Sequence, residues 1–272
     1  MSDSELVEFR TEGRVALVTL DDEEHRNALT IPLGQCLLRV CEEISANEDI
    51  RAVVVTGRGS AFSAGGDIHR MSRGGSVRTP DQMAAEHLDS SYTSTARATI
   101  KAFVRLETPI IVAMNGPALG WGFDIALAGD IRVASRTAQM GESFVRLGAV
   151  SGTGGIFLLP RIIGLSRAAE LLFTGRTIDA DEALRMGAVS YVTDPEEVVP
   201  KALELANEIA AAAPIAVRLT KRALYGTANL SGSLDAALTE VMYMNHICLN
   251  SEDHREAATA ILERRPPDFH KR

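Results

Sequence analysis

The stretch Ile110-Ile-Val-Ala-Met-Asn-Gly-Pro-Ala-Leu-Gly-Trp-Gly-Phe-Asp-Ile-Ala-Leu-Ala-Gly-Asp-Ile-Arg132 decides how the chain is read. It opens on five apolar residues, Ile110 to Met114, which mark a buried strand. Asn115, Gly116 and Pro117 stop that strand with turn chemistry. Gly120 and Gly122 then flank Trp121, and residues 123–128 read as a short apolar helix. A backbone that passes from strand to helix through glycines presents N–H groups that no side chain screens. The helix start adds partial positive charge, so negative charge developing there is stabilised. Asp124 falls on the first turn and is aimed near the same spot, which predicts an oxyanion site with a carboxylate beside it.

Upstream, residues 52–56 form a second buried strand, broken by Gly57-Arg58-Gly59-Ser60. Ala61-Phe62-Ser63-Ala64-Gly65-Gly66-Asp67-Ile68 follows as a second glycine turn entering a helical segment. Further back, residues 14–20 pair with 6–10 as a hairpin, and Leu33, Leu37, Cys41 and Ile44 recur at helical spacing from Pro32 to about Asn47. Residues 73–80 are rich in Gly, Ser and Arg and read as a mobile surface loop, and 81–106 as a long helix. Downstream, strands are expected at 131–134 and 138–141. A third glycine-rich stretch covers 148–155, with a helix around Phe157. Helices follow at 166–173 and 179–186, the latter capped by Asp179 with Glu182 three residues on. Beyond a last strand at Tyr191-Val192 everything past Pro195 is helical. The division is a core over 1–195 and a C-terminal helical region over 196–272, an α/β body with an all-helical tail. Apolar positions on two sides of the tail helices suit packing against a second subunit.

Composition narrows the function. A chain of 272 residues with 46% apolar and 24% charged residues is an ordinary globular protein with ample core. The net charge of −8 argues against a nucleic-acid surface, although a local basic spot could hold a small phosphorylated ligand. The N-terminus is acidic and lacks the apolar core of a secretory signal, and no apolar run reaches the roughly 18 residues that span a bilayer. Cys36, Cys41 and Cys248 form an odd set without a Cys-x-x-Cys pair, which reads as reduced thiols in a cytoplasm.

Two glycine turns, each after a buried strand and each able to donate one backbone N–H, could converge on one carbonyl oxygen. In other enzymes each such donor contributes roughly 2.7–4 kcal/mol to an enolate or tetrahedral oxyanion. Competing motifs fail. Ile125 stands where a dinucleotide fingerprint needs its third glycine, and no Gly-Lys-Ser/Thr occurs. Ser63 lacks the first glycine of a nucleophile elbow and reads as a turn residue. The six His are scattered, without metal-ligand spacing, and no metal is expected. Asp67 and Asp130 each follow a glycine and read as holders of turn N–H groups.

The run Phe62-Ser63-Ala64-Gly65-Gly66-Asp67, followed by Asn115-Gly116-Pro117-Ala118-Leu119-Gly120-x-Gly122, resembles the crotonase (enoyl-CoA hydratase/isomerase) superfamily. Arg26-Asn27-Ala28-Leu29 resembles its CoA-contacting segment. Residues 175–187 and the chain end at Glu263-Arg264-Arg265 and Phe269 extend the likeness over nearly the whole chain. The resemblance implies a crotonase-like spiral of β-β-α units with a helical C-terminal trimerisation region, in trimers that often pair into hexamers. It implies an acyl-CoA thioester as substrate, with coenzyme A arriving as part of it and no separate cofactor. It also points to fatty-acid metabolism. Carried over, the oxyanion donors are the amides of Gly66 and Trp121, and the CoA lies along Arg26, Ala28, Ala64 and Ile68, with Gly65, Asp67 and Gly120 shaping the turns.

The departures fall at the acid/base positions. The resemblance puts a glutamate where this chain has Asp124, and a second where it has Phe144. Syn hydration uses two carboxylates, so Phe144 leaves one role vacant. Glu142 lies two residues away and on an alternating segment faces the same side. Against its use stands a structural role, paired with Arg146 or a backbone amide. Asp124, near a helix start, is expected to favour its ionised form and act as a base. Thr153 lies near the predicted acyl pocket, where packing or capping competes with contact to substrate. The indole of Trp121, at a position held by glycine in the family, either points away or lines that pocket. The expected activity is enoyl-CoA hydratase/isomerase chemistry. The alternatives are thioester hydrolysis or decarboxylation on the same scaffold, or an acyl-CoA-binding homologue impaired by Phe144.

Overall fold

Runs of Val and Ile without polar alternation need apolar cover on both faces, and the architecture supplies it. The computed structural model describes residues 6–66, 91–229 and 234–270. The sequence-level expectations for Asp67, Ile68, the 73–80 loop and residues 81–90 of the long helix lie outside that set. Strands β1 (Val7–Glu12) and β2 (Val15–Leu20) form the predicted hairpin. Strands β3 (Ala52–Gly57), β4 (Ile110–Met114), β6 (Ile131–Ser135) and β9 (Tyr191–Thr193) extend it in parallel, giving the order β1-β2-β3-β4-β6-β9. A smaller sheet joins β5 (Ala118–Leu119), β7 (Gln139–Gly141) and β8 (Ile178–Asp179).

Each long strand hands the chain to the smaller sheet before a helix returns it. β4 leads to β5 and then to helix α3 (Trp121–Ala128). β3 leads to Ser63, which bridges Ala118 in parallel, and to Gly66, which bridges Leu29. β2 leads to Leu29 and then to α1 (Ile31–Ala46). Three successive turns therefore stack the segments at Leu29, at Ser63 to Gly66 and at β5 side by side. This is the β-β-α spiral that the family resemblance implies.

Helices cover the main sheet on both faces. Val18, Val53, Val55, Ile110, Val112 and Met114 share one core with α1, α2 (Ser91–Arg105) and α3. α1 buries the predicted stripe Leu33, Leu37, Cys41 and Ile44, and Thr30 caps its start by accepting from the Leu33 N–H. The opposite face (Val15, Leu17, Ala52, Val54, Ile111, Ala113, Val133) is closed by α7 (Val198–Ala211) through Val198, Ala202, Ala206 and Ala210. Residue 195 therefore marks a change from mixed to helical structure, while the core runs on into α7.

α4 (Gly155–Ile163), α5 (Leu165–Thr174) and α6 (Ala180–Met186) lie between β7 and β9. Asp179 caps α6, its Oδ1 2.7 Å from the Glu182 N. Three helices follow α7: α8 (Pro214–Asn229), α9 (Leu234–Leu249) and α10 (Glu252–Glu263). They leave Leu238, Met242, Tyr243, Ile247, Ile261 and Leu262 exposed.

Candidate active site

The two glycine bends meet. Leu119 N donates to Ser63 O at 3.1 Å, and the N–H groups of Phe62 and Ser63 both donate to Pro117 O. A Cβ on Gly65 would stand 2.4 Å from Leu119 O, and one on Gly122 2.7 Å from Ser63 O. Only glycine permits this approach, and Gly65 also holds a left-handed φ of 92°. Two asparagines fix the upper bend from either side. Asn27 Nδ2 donates to Arg58 O and Ala61 O, while Asn115 Oδ1 accepts from Gly57 N and its Nδ2 donates to Gly59 O. Neither asparagine was singled out from the sequence beyond its place in a turn or CoA segment. Their side-chain reach across 30 to 60 residues has no local signal.

The CoA segment lies against the same bend. Ala64 N donates to Arg26 O, and Leu29 N donates to Gly65 O, each within 2.9 Å. Arg26, Ala28, Ala64, Gly65 and Gly66 thus form one continuous edge, with the Arg26 side chain exposed. Ser63 is structural as expected, its Oγ donating to Asn27 O and accepting from Gly65 N.

α3 begins two residues earlier than predicted, at Trp121, with Gly120 as its N-cap at φ 49°. Trp121 therefore contributes the first amide of the helix. The indole is buried in the main core, with Cη2 near Gly34 of α1. Phe144 packs against Gly120 instead. Its ring carbons would lie 3.5 Å from a Cβ on Gly120.

Asp124 is fully buried on the first turn of α3, and Thr153 donates a short hydrogen bond to its Oδ2. Thr153 is therefore a partner of the carboxylate rather than the cap or packing residue weighed from the sequence. Glu142 overturns the sequence preference too. It makes no pair with Arg146, whose Nε donates to Thr174 O, and its carboxyl is buried at 1% exposure. It turns onto Asp124. A Cβ on Gly155 would fall 2.2 Å from Asp124 Oδ1 and 2.4 Å from Glu142 Oε1, so the two carboxyls share the space above that glycine. Gly155 opens α4 and gives the pair a second helix N-terminus. Ser151, buried beside Glu142, completes the pocket floor.

Electrostatics follow from that burial. Desolvation raises the Asp124 pKa, against the opposing pull of Glu142, Thr153 and the Gly155 amide. The helix start and these partners work toward the Asp124 anion, while burial works against it and sets the direction of the shift. Glu142 is driven well above the carboxylate range, first by desolvation and then by the charge of Asp124. Asp124 Oδ1 and both Glu142 oxygens make no hydrogen bond of standard geometry as two ionised acceptors. Their contact becomes a hydrogen bond when one carries a proton. Glu142, raised by both burial and the Asp124 charge, is the better proton holder of the pair, while Thr153 and Gly155 favour the Asp124 anion. No cluster of three or more His, Cys, Asp or Glu able to hold a metal occurs among the described residues.

A β-β-α spiral whose glycine bends converge beside buried carboxyls defines the crotonase class. The sequence model of the enoyl-CoA hydratase/isomerase family matches residues 10–272, and the chain belongs to that family. It is 36% identical over 255 residues to a short-chain-enoyl-CoA hydratase of Clostridium acetobutylicum, covering 93% of each chain. It is 31% identical to a crotonyl-CoA hydratase of Syntrophomonas wolfei, covering 95% of each. Among solved structures it is similar to an enoyl-CoA hydratase of Bacillus anthracis, with a TM-score of 0.88, 32% identity and coverage of 98% of this chain and 99% of that one.

Proposed function

We propose that this family member acts on an enoyl-CoA thioester, holding the thioester oxygen between the amides of Gly66 and Trp121 and moving protons with Asp124 and Glu142. The observation that carries the reading is the contact of two buried carboxyls over Gly155, at the start of two helices. In hydration, the ionised Asp124 takes a proton from water as its oxygen bonds to C3. The C2–C3 π pair moves onto the thioester, whose oxygen takes the charge between the two amides. Protonated Glu142 then delivers its proton to C2, and proton exchange between the touching carboxyls restores the starting state. A double-bond shift uses the same parts, one carboxyl removing a proton and returning it two carbons away. The presence of Glu142 supports an active enzyme over an impaired homologue, because it supplies the second carboxylate that Phe144 removes.

The coenzyme A portion runs along Arg26, Ala28 and Ala64, and no separate cofactor takes part. The exposed apolar residues of α9 and α10 support assembly into a homotrimer or a dimer of trimers, which sedimentation analysis measures directly. No described helix is long and apolar enough to cross a membrane, and the three cysteines are free, which suits a reducing cytoplasm and a role in fatty-acid metabolism. Turnover of crotonyl-CoA and of a 3-enoyl-CoA by wild type and Asp124→Asn tests the reading. Loss of rate in the variant is expected, and equal rates in both proteins would remove Asp124 from the mechanism.

A further inference from the structure

A cavity of about 280 Å³, lined in part by Thr153, opens between α2 and the 152–158 segment. Its inner wall is apolar, built from Ile100 of α2 and from Phe157 and Leu158 of α4. Its other wall carries Arg97, Lys101 and Arg105. These three recur every fourth residue of α2, so they stand in one row along a single helix face. Among the described residues no Asp or Glu lines the cavity, in a chain whose net charge is −8. Among the described residues none of the three cations forms an ion pair. Thr153, which lines the cavity, also holds Asp124, so the space begins where the proposed reacting carbons end.

An acyl chain leaving the carboxyl pair past Thr153 would enter this cavity. A plain alkyl tail would gain from Ile100, Phe157 and Leu158 and find nothing for the cationic wall to meet. A tail ending in an anion would satisfy both walls, since a positive concavity selects for negative charge. We infer that the enzyme prefers acyl-CoA thioesters whose acyl group ends in a carboxylate, recognised by Arg97, Lys101 and Arg105 at the far end of the acyl pocket. This inference rests on the acyl-CoA reading above and narrows it to monothioesters of dicarboxylic acids.

The test separates binding from turnover. Calorimetric affinities for glutaryl-CoA and pentanoyl-CoA, which share a five-carbon acyl chain and differ in the terminal carboxylate, are measured on the full chain. Glutaryl-CoA is expected to bind about tenfold more tightly at low salt, with the advantage shrinking as ionic strength rises. Lys101→Glu and the triple variant Arg97→Met, Lys101→Met, Arg105→Met should bring the ratio to unity or reverse it. A misfolded variant loses both ligands together, whereas the inference concerns their ratio. Equal wild-type affinities, or a preference that survives the triple substitution, would overturn it. If the preference is present but crotonyl-CoA is not turned over, the proposed reaction fails while the carboxylate recognition stands.

Discussion

Glu142 lays its carboxyl against that of Asp124, and the space both occupy exists because residue 155 has no side chain. Neither carboxyl has a basic residue as hydrogen-bond or ion-pair partner among the described residues. The arrangement is therefore a shared proton in a desolvated pocket, and several consequences can be measured.

Glu142→Gln keeps the shape of the side chain and removes the proton it donates. If Glu142 protonates C2, crotonyl-CoA hydration should fall by about 10²- to 10⁴-fold, the range of a lost general acid. The KM should change little, because the residue acts on the reacting carbon rather than on the CoA. Steady-state kinetics decide it, and an unchanged kcat takes Glu142 out of the reaction.

The same substitution should stabilise the fold in a pH-dependent way. Burial and the Asp124 charge raise the Glu142 pKa above its ordinary value of 4.5, so the folded state holds a proton that the unfolded state gives up. Stability in the wild type is then full below the unfolded value and is lost as pH rises through the folded one. Glu142→Gln has no such loss. Its melting temperature relative to wild type should climb as pH rises above the ordinary glutamate value of 4.5 through neutrality. A difference that stays flat across that range contradicts the raised pKa.

Gly155→Ala places a methyl group where the two carboxyl oxygens now stand. One or both must rotate away, and displacement of reacting groups by about 1 Å can cost about 10²-fold in rate. The fold should survive with about 1–3 kcal/mol of destabilisation, typical of an overpacked site. Chemical denaturation read beside kcat separates the two effects. Activity near wild type would show that the carboxyl contact is dispensable.

Away from the site, Asp130 and Lys221 form a largely buried ion pair at 2.7 Å, with side-chain exposures of 16% and 9%. Asp130 Oδ2 also accepts from Ile110 N, and Lys221 donates to Thr108 O, so α8 is tied to the start of β4. Asp130→Ala should cost about 3–5 kcal/mol by leaving the ammonium unpaired. Adding Lys221→Met should recover much of it. A double variant no more stable than the single one would show that packing, not the orphaned charge, sets the cost.

Much of the scaffold was legible because local patterns specify it. The unbroken apolar runs at β3 and β4 are the pattern of strands covered on both faces, and the stripe from Leu33 to Ile44 is that of a helix with one buried side. Asp130 was readable as a holder of backbone, since a short acid after a glycine in a turn has few other uses. The bond of Thr153 to Asp124, the contact of Glu142 with Asp124 and the desolvation of Asp124 had no local signal. Each depends on which groups from separate turns of the spiral come to lie within a few ångströms.

The sequence by itself therefore determined the order of strands and helices, the two glycine bends and the family to which they belong. The elements and bends follow from periodicity and backbone freedom, which act over a few residues, and the family follows from the likeness of the motifs. Only the tertiary structure decided that Glu142 joins Asp124 over Gly155, that Trp121 is buried in the core, and that desolvation raises both carboxyl pKa values. Desolvation and contact depend on what surrounds a group in space, and residues distant along the chain supply those surroundings.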